Sequence, residues 1–184
     1  MQDDKKRSFF SREARISPPE QAEGRTVEVA FSSETPVERR GEWEILAHDP
    51  GAARLERLNN GAMLLFNHDR DRYLGAVVPG TARIDADRVG RAQVRIREGE
   101  EGDAALRDIR AGILTKVSFL YRVHATAAAE PLEGRPAYRA TDWEPLEISF
   151  VTIPADDSVG LGRSIFFQDK DTKDRNIMSD QQTN

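Results

Sequence analysis

Three residues in separate apolar stretches have the types of a general base, a nucleophile and an orienting acid. His68 closes the run Leu64-Leu65-Phe66-Asn67-His68-Asp69. Ser118 sits inside Ile113-Leu114-Thr115-Lys116-Val117-Ser118-Phe119-Leu120-Tyr121. Glu147 lies near the start of Pro145-Leu146-Glu147-Ile148-Ser149-Phe150-Val151-Thr152-Ile153-Pro154-Ala155-Asp156. An imidazole can serve as general base, a hydroxyl as nucleophile, and a carboxylate can hold the imidazole in the required tautomer. These are the parts of a serine hydrolase. They occur in the order His, Ser, Glu, each on its own expected strand.

Each residue also has a plainer reading. A neutral histidine is common at a strand end. A serine within a strand is often a small filler. By alternation Ser118 shares one face with Lys116 and Leu120, while Val117, Phe119 and Tyr121 share the other. Glu147 faces the same side as Ser149 and Val151. A carboxylate there must be paired, solvated or used, because burying it unpaired is costly. An ion pair with an arginine is the bland alternative. No Gly-x-Ser-x-Gly elbow occurs, which disfavours an α/β-hydrolase arrangement. Of the other two histidines, His48 precedes Asp49-Pro50 and is expected at a turn or surface. His124 ends a strand and is expected in a structural or solvated role. No zinc-type ligand spacing appears, so neither a metal nor a cofactor is expected.

The chain has 184 residues, enough for one domain with a substantial core. Its net charge of −5 argues against a nucleic-acid partner, which a basic surface would serve. The absence of cysteine removes disulfides, thiol catalysis and thiolate metal sites. No apolar run reaches the length of a membrane span, and the charged N-terminus lacks a signal-peptide core. The expected location is cytoplasmic, with no membrane partner.

The elements that must position these residues are mostly short strands. Strands are expected over Ser8–Ile16, Arg25–Phe31, Trp43–His48, Met63–His68, Leu74–Val78, Thr81–Asp85 and Gly90–Ile96. Further strands should carry Ser118 and Glu147. Ala52–Leu58 reads as one or two helical turns, and Asp103–Gly112 as the clearest helix. Ala125–Gly134, rich in Ala and Glu, reads as a loop or a short helix. Residues 168–184 are almost wholly polar and are expected to form a disordered tail beyond a domain at 1–167. The pattern is mainly β with helical cover, a barrel or twisted sheet.

Three segments together resemble the tailed-phage prohead maturation protease family. They are Leu65-Phe66-Asn67-His68-Asp69, Gly112-Ile113-Leu114-Thr115-Lys116-Val117-Ser118-Phe119 and Leu146-Glu147-Ile148-Ser149-Phe150-Val151-Thr152-Ile153-Pro154-Ala155-Asp156. The last is the most distinctive. The resemblance covers roughly Phe9 to Ser164. It implies a mostly antiparallel β-barrel surrounded by a few helices, similar to the herpesvirus capsid assembly protease.

The resemblance makes Ser118 the nucleophile and His68 the base. Herpesvirus enzymes use a second histidine as third member. Here no histidine follows His124, and Glu147 lies at the corresponding place, with Asp69 as runner-up. The turn at Pro154-Ala155-Asp156-Asp157 is a candidate source of oxyanion donors. The implied function is a serine endopeptidase that cuts scaffold and major capsid precursor proteins inside the immature prohead. Its own tail is a further candidate substrate, and assembly within the shell leaves room for a homo-oligomer. Two rival readings remain: an inactive capsid-assembly protein of the same fold, and a small-molecule-binding β-barrel. In the second rival, Ser118 and His68 would lie outside hydrogen-bond reach.

Overall fold

The computed structural model of the chain describes residues 9–15 and 24–152. The expected tail at 168–184 and the turn at 154–157 lie outside them. Among the described residues the strands are β1 (Phe9–Arg15), β2 (Thr26–Ser33), β3 (Val37–Arg39), β4 (Glu42–Leu46), β5 (Met63–Phe66), β6 (Asp69–Val77), β7 (Arg83–Ile84), β8 (Val89–Ile96), β9 (Lys116–Leu132) and β10 (Arg135–Phe150). Two helices accompany them, α1 (Glu56–Asn59) and α2 (Glu100–Arg110).

All ten strands join one sheet, with the main path β1-β9-β10-β5-β6-β8-β2. The expectation of a mainly β fold with helical cover holds. One of its details differs. The two ends of the path, β1 and β2, lie near one another but share no hydrogen-bonded ladder, so the described sheet is not a closed barrel. Its pairings are mostly antiparallel, as expected, but β10 runs parallel to both β4 and β5. The parallel β10–β5 pairing brings the Glu147 strand alongside the His68 segment.

The long β9–β10 hairpin is the spine of the sheet. Its loop, Glu133-Gly134, has φ of 52° and 74°, the left-handed pair that a two-residue hairpin turn demands. Ala125–Leu132 belongs to this hairpin and is strand, not the expected loop or helix. Alanine favours helix locally, but the ladder from Ala125 to Ala129 against Asp142 to Ala137 decides the outcome.

The core covers one face of this hairpin. Trp143, Tyr121, Phe31, Phe119 and Phe150 are its largest fully buried side chains. Phe119 meets Phe31 edge-on at 5.8 Å and stacks on Tyr121 at 5.0 Å. Aromatic pairs of this kind contribute about 0.5–1.5 kcal/mol each beyond simple burial. Their alternation on β9 leaves Ser118 on the opposite face, as the sequence pattern requires. On β6, Gly75 allows a close approach to β8, since a Cβ there would stand 1.9 Å from the Arg95 carbonyl oxygen.

The helix α2 begins three residues before the sequence pattern suggests. Gly99 precedes it with φ of 104°, and Glu100, Glu101 and Asp103 occupy the first turn, where the helix dipole favours acidic groups. Ala105, Leu106 and Ile109 are the buried stripe. Gly112, at φ of 69°, ends the helix and turns the chain toward the Ser118 strand.

Candidate active site

His68 does not end a strand, as the sequence suggested. It is the second residue of a two-residue turn between β5 and β6, closed by the pairing of Phe66 with Asp69. Asn67 and His68 have φ of 53° and 59°. A turn with both central residues left-handed matches the right-handed twist of a hairpin, and it usually carries Asn-Gly. Asparagine fits its position. Histidine occupies the place of the glycine, at a conformational cost of roughly 1–2 kcal/mol.

Hydrogen bonds to the end of β10 and to Thr152 just beyond it hold this turn. Asn67 N–H donates to the Phe150 carbonyl at 2.8 Å, and Thr152 N–H donates to Asn67 Oδ1 at 3.0 Å. His68 N–H donates to Ser149 Oγ at 3.2 Å. The turn therefore aims the imidazole back over the sheet.

A bulge in β10 sets the carboxylate. Pro145 pairs with Tyr121 and Glu147 with Leu120, so Leu146 is an extra residue in that strand. At the bulge, Leu120 N–H donates to Glu147 Oε1 at 3.0 Å instead of extending the regular ladder. Ser149 Oγ donates to Glu147 Oε2 at 2.6 Å. The Glu147 side chain is mostly buried, and these donors offset the desolvation that burial imposes.

The structure brings His68, Ser118 and Glu147 together. His68 Nδ1 lies 2.7 Å from Glu147 Oε1, and His68 Nε2 lies 3.0 Å from Ser118 Oγ. An ionised carboxylate has only acceptors, so it selects the tautomer with the proton on Nδ1. That leaves the Nε2 lone pair facing the Ser118 hydroxyl. The arrangement can take a proton from Ser118 and stabilise the imidazolium that results. Asp69 is not part of it. Its side chain is turned to the surface and accepts from Asp71 N–H at 2.9 Å.

His48, expected at a turn or surface, is instead buried. Its Nε2 lies 3.1 Å from Ser32 Oγ, and its Nδ1 lies 2.6 Å from the Arg88 carbonyl oxygen. The ring packs against Trp143 at 5.6 Å, a contact from a distant strand that the local Asp49-Pro50 signal does not reveal. His124 lies on an exposed stretch of β9 and pairs with Glu144 at 3.5 Å, in keeping with a structural or solvated role. No group of three or more candidate metal ligands occurs among the described residues.

Two participants escaped the sequence reading. Asn67 was seen only as a neighbour of His68, although an Asn between two apolar strands is itself a turn signal. Ser149 was seen only as a residue on the Glu147 face. The Glu-x-Ser spacing on one strand was the available clue that the two side chains meet.

A groove of about 560 Å³ opens beside these segments. Its walls include Phe66, Lys116 and Val151, each two residues from His68, Ser118 or Ser149, together with Leu74, Ala105 and Leu114.

The sequence profile of the caudovirus prohead serine protease family matches residues 44–163. The major capsid protein of Halomonas phage phiHAP-1 is 36% identical over 137 residues, covering 74% of this chain. The chain spans only 23% of that relative's length. Among solved structures, the bacteriophage T4 capsid assembly protease is similar in fold, with a TM-score of 0.55 and 15% sequence identity. That match covers 78% of this chain and 97% of the T4 chain.

Proposed function

Because the chain belongs to the caudovirus prohead serine protease family, we propose that it is a serine endopeptidase of phage capsid maturation, with Ser118 as nucleophile, His68 as general base and Glu147 as orienting acid. The observation that carries this reading is the continuous chain from Glu147 Oε1 through His68 to Ser118 Oγ, at 2.7 Å and 3.0 Å. His68 Nε2 takes the hydroxyl proton as Ser118 Oγ attacks the peptide carbonyl. The imidazolium, held by Glu147, then protonates the departing amine. A water molecule, deprotonated by His68, attacks the acyl-enzyme and restores Ser118.

The substrates in this reading are scaffold and major capsid precursor proteins within the immature prohead. The relative named as a major capsid protein supports the capsid precursor in particular. The groove beside the site offers an extended polypeptide an apolar floor. The test is co-expression with the capsid precursor and scaffold of the same phage. Mass spectrometry should find defined new termini with the wild-type chain and none with Ser118→Ala. Identical termini with both would refute the proposal.

A further inference from the structure

Ser149 faces Ser118 directly across the β9–β10 ladder. It is fully buried, and its hydroxyl joins two parts of the site. It donates to Glu147 Oε2 at 2.6 Å and accepts from His68 N–H at 3.2 Å. The direction of both bonds is fixed by chemistry. A backbone N–H can only donate, and a carboxylate can only accept. The single Ser149 proton is therefore committed to Glu147.

We propose that Ser149 is a positioning residue that locks the His68–Glu147 pair. The proposal rests on the reading of His68, Ser118 and Glu147 given above. Ser149 fixes the second carboxylate oxygen, so that Oε1 stays aimed at His68 Nδ1. The same oxygen atom ties down the main chain of His68, at a position where a non-glycine residue is held left-handed. One side chain thus sets both the acid and the base relative to Ser118. It touches neither the nucleophile's proton nor a substrate. Its loss lowers the rate of the chemical step and leaves substrate binding in place.

Two measurements test this on the full chain. The first is the rate at which diisopropyl fluorophosphate modifies Ser118 in wild type, Ser149→Ala and Ser149→Thr, with melting temperatures recorded alongside. Ser149→Ala should react at least tenfold more slowly, and Ser149→Thr, which keeps the hydroxyl, should recover much of the loss. The second is proton NMR of the His68 Nδ1–H in histidine-labelled protein. This resonance should exchange with water faster in Ser149→Ala than in wild type. An unchanged modification rate in folded Ser149→Ala, or a Ser149→Thr variant no better than Ser149→Ala, would overturn the proposal. So would an unchanged Nδ1–H exchange rate. If Ser149→Ala does not fold, Ser149→Cys takes its place, a near-isosteric change to a weak donor with the same expected direction. If wild type itself is not modified, the reading of Ser118 fails, and the exchange measurement still decides whether Ser149 holds the pair.

Discussion

His48 Nε2 lies 3.1 Å from Ser32 Oγ, nearly the spacing that separates His68 Nε2 from Ser118 Oγ. The domain thus holds two Ser–His pairs of similar geometry. Their third partners differ. His68 leans on a carboxylate, and His48 on the neutral carbonyl of Arg88. Either partner fixes a tautomer, but a carboxylate stabilises an imidazolium far better. His48 is also packed against Trp143 in the core. Ser32→Ala should therefore leave proteolysis at the wild-type rate and lower stability by about 1 kcal/mol. Denaturant unfolding and a cleavage assay on the same variant would check both. Loss of cleavage in a folded Ser32→Ala protein would mean that the second pair is used.

The turn at Asn67 and His68 leads to an unusual ranking of variants. Glycine normally destabilises relative to alanine, but at left-handed positions the order reverses. His68→Gly should be more stable than His68→Ala by about 1 kcal/mol, and Asn67→Gly more stable than Asn67→Ala by a similar amount. Both Asn67 variants should fall below wild type, because each loses the acceptor for Thr152 N–H. Melting temperatures decide the ranking. Alanine variants that outlast the glycine variants would show that the turn is not left-handed in solution.

The two carboxylates near His68 make opposite predictions. Glu147→Gln should slow cleavage by at least tenfold, because an amide cannot stabilise the imidazolium and its NH₂ group favours the wrong tautomer. Asp69→Asn should leave the rate within about twofold, since its exposed side chain accepts from Asp71 N–H in its own strand. A crippled Asp69→Asn beside an active Glu147→Gln would transfer the third role to Asp69.

Much of this arrangement was legible in the sequence, and the gaps have physical causes. The alternation separated Val117, Phe119 and Tyr121, which the fold buries, from Ser118 on the other face of β9. Glu147 and Ser149 were correctly assigned to one face of one strand. The missing parts depend on the third dimension. No glycine marks the His68 turn, because a histidine holds the left-handed position. The Leu146 bulge is signalled only by Pro145, since a proline inside a central strand sits at a bulge. The Ala125–Ala129 stretch becomes strand only because β10 pairs with it. The burial of His48 depends on Trp143, remote in the chain, and the open, mixed sheet depends on which strands meet.

Acid should weaken the fold through Glu34. Burial pushes its carboxyl up, but the His48 N–H and the Arg88 and Arg139 guanidiniums outweigh that, holding it below its ordinary 4.5. A group lowered in the folded state contributes stability above its unfolded pKa. That contribution disappears as the pH falls through the folded value. Stability should therefore drop as the pH falls below about 4.5. Glu34→Gln should show a shallower drop, and a loss on the order of 1 kcal/mol at neutral pH. Equal acid slopes for the two proteins in pH-dependent unfolding would remove Glu34 from this role.

The central claim is that His68 activates Ser118 as a nucleophile. The most direct measurement treats the purified chain with diisopropyl fluorophosphate and locates the adduct by peptide mass spectrometry. The account predicts a single modified serine, Ser118, with labelling abolished in Ser118→Ala and at least a hundredfold slower in His68→Ala. In a cleavage assay, the Ser118→Ala/His68→Ala double variant should be little worse than either single change. An adduct on another serine, or labelling of Ser118 at the wild-type rate without His68, would contradict it.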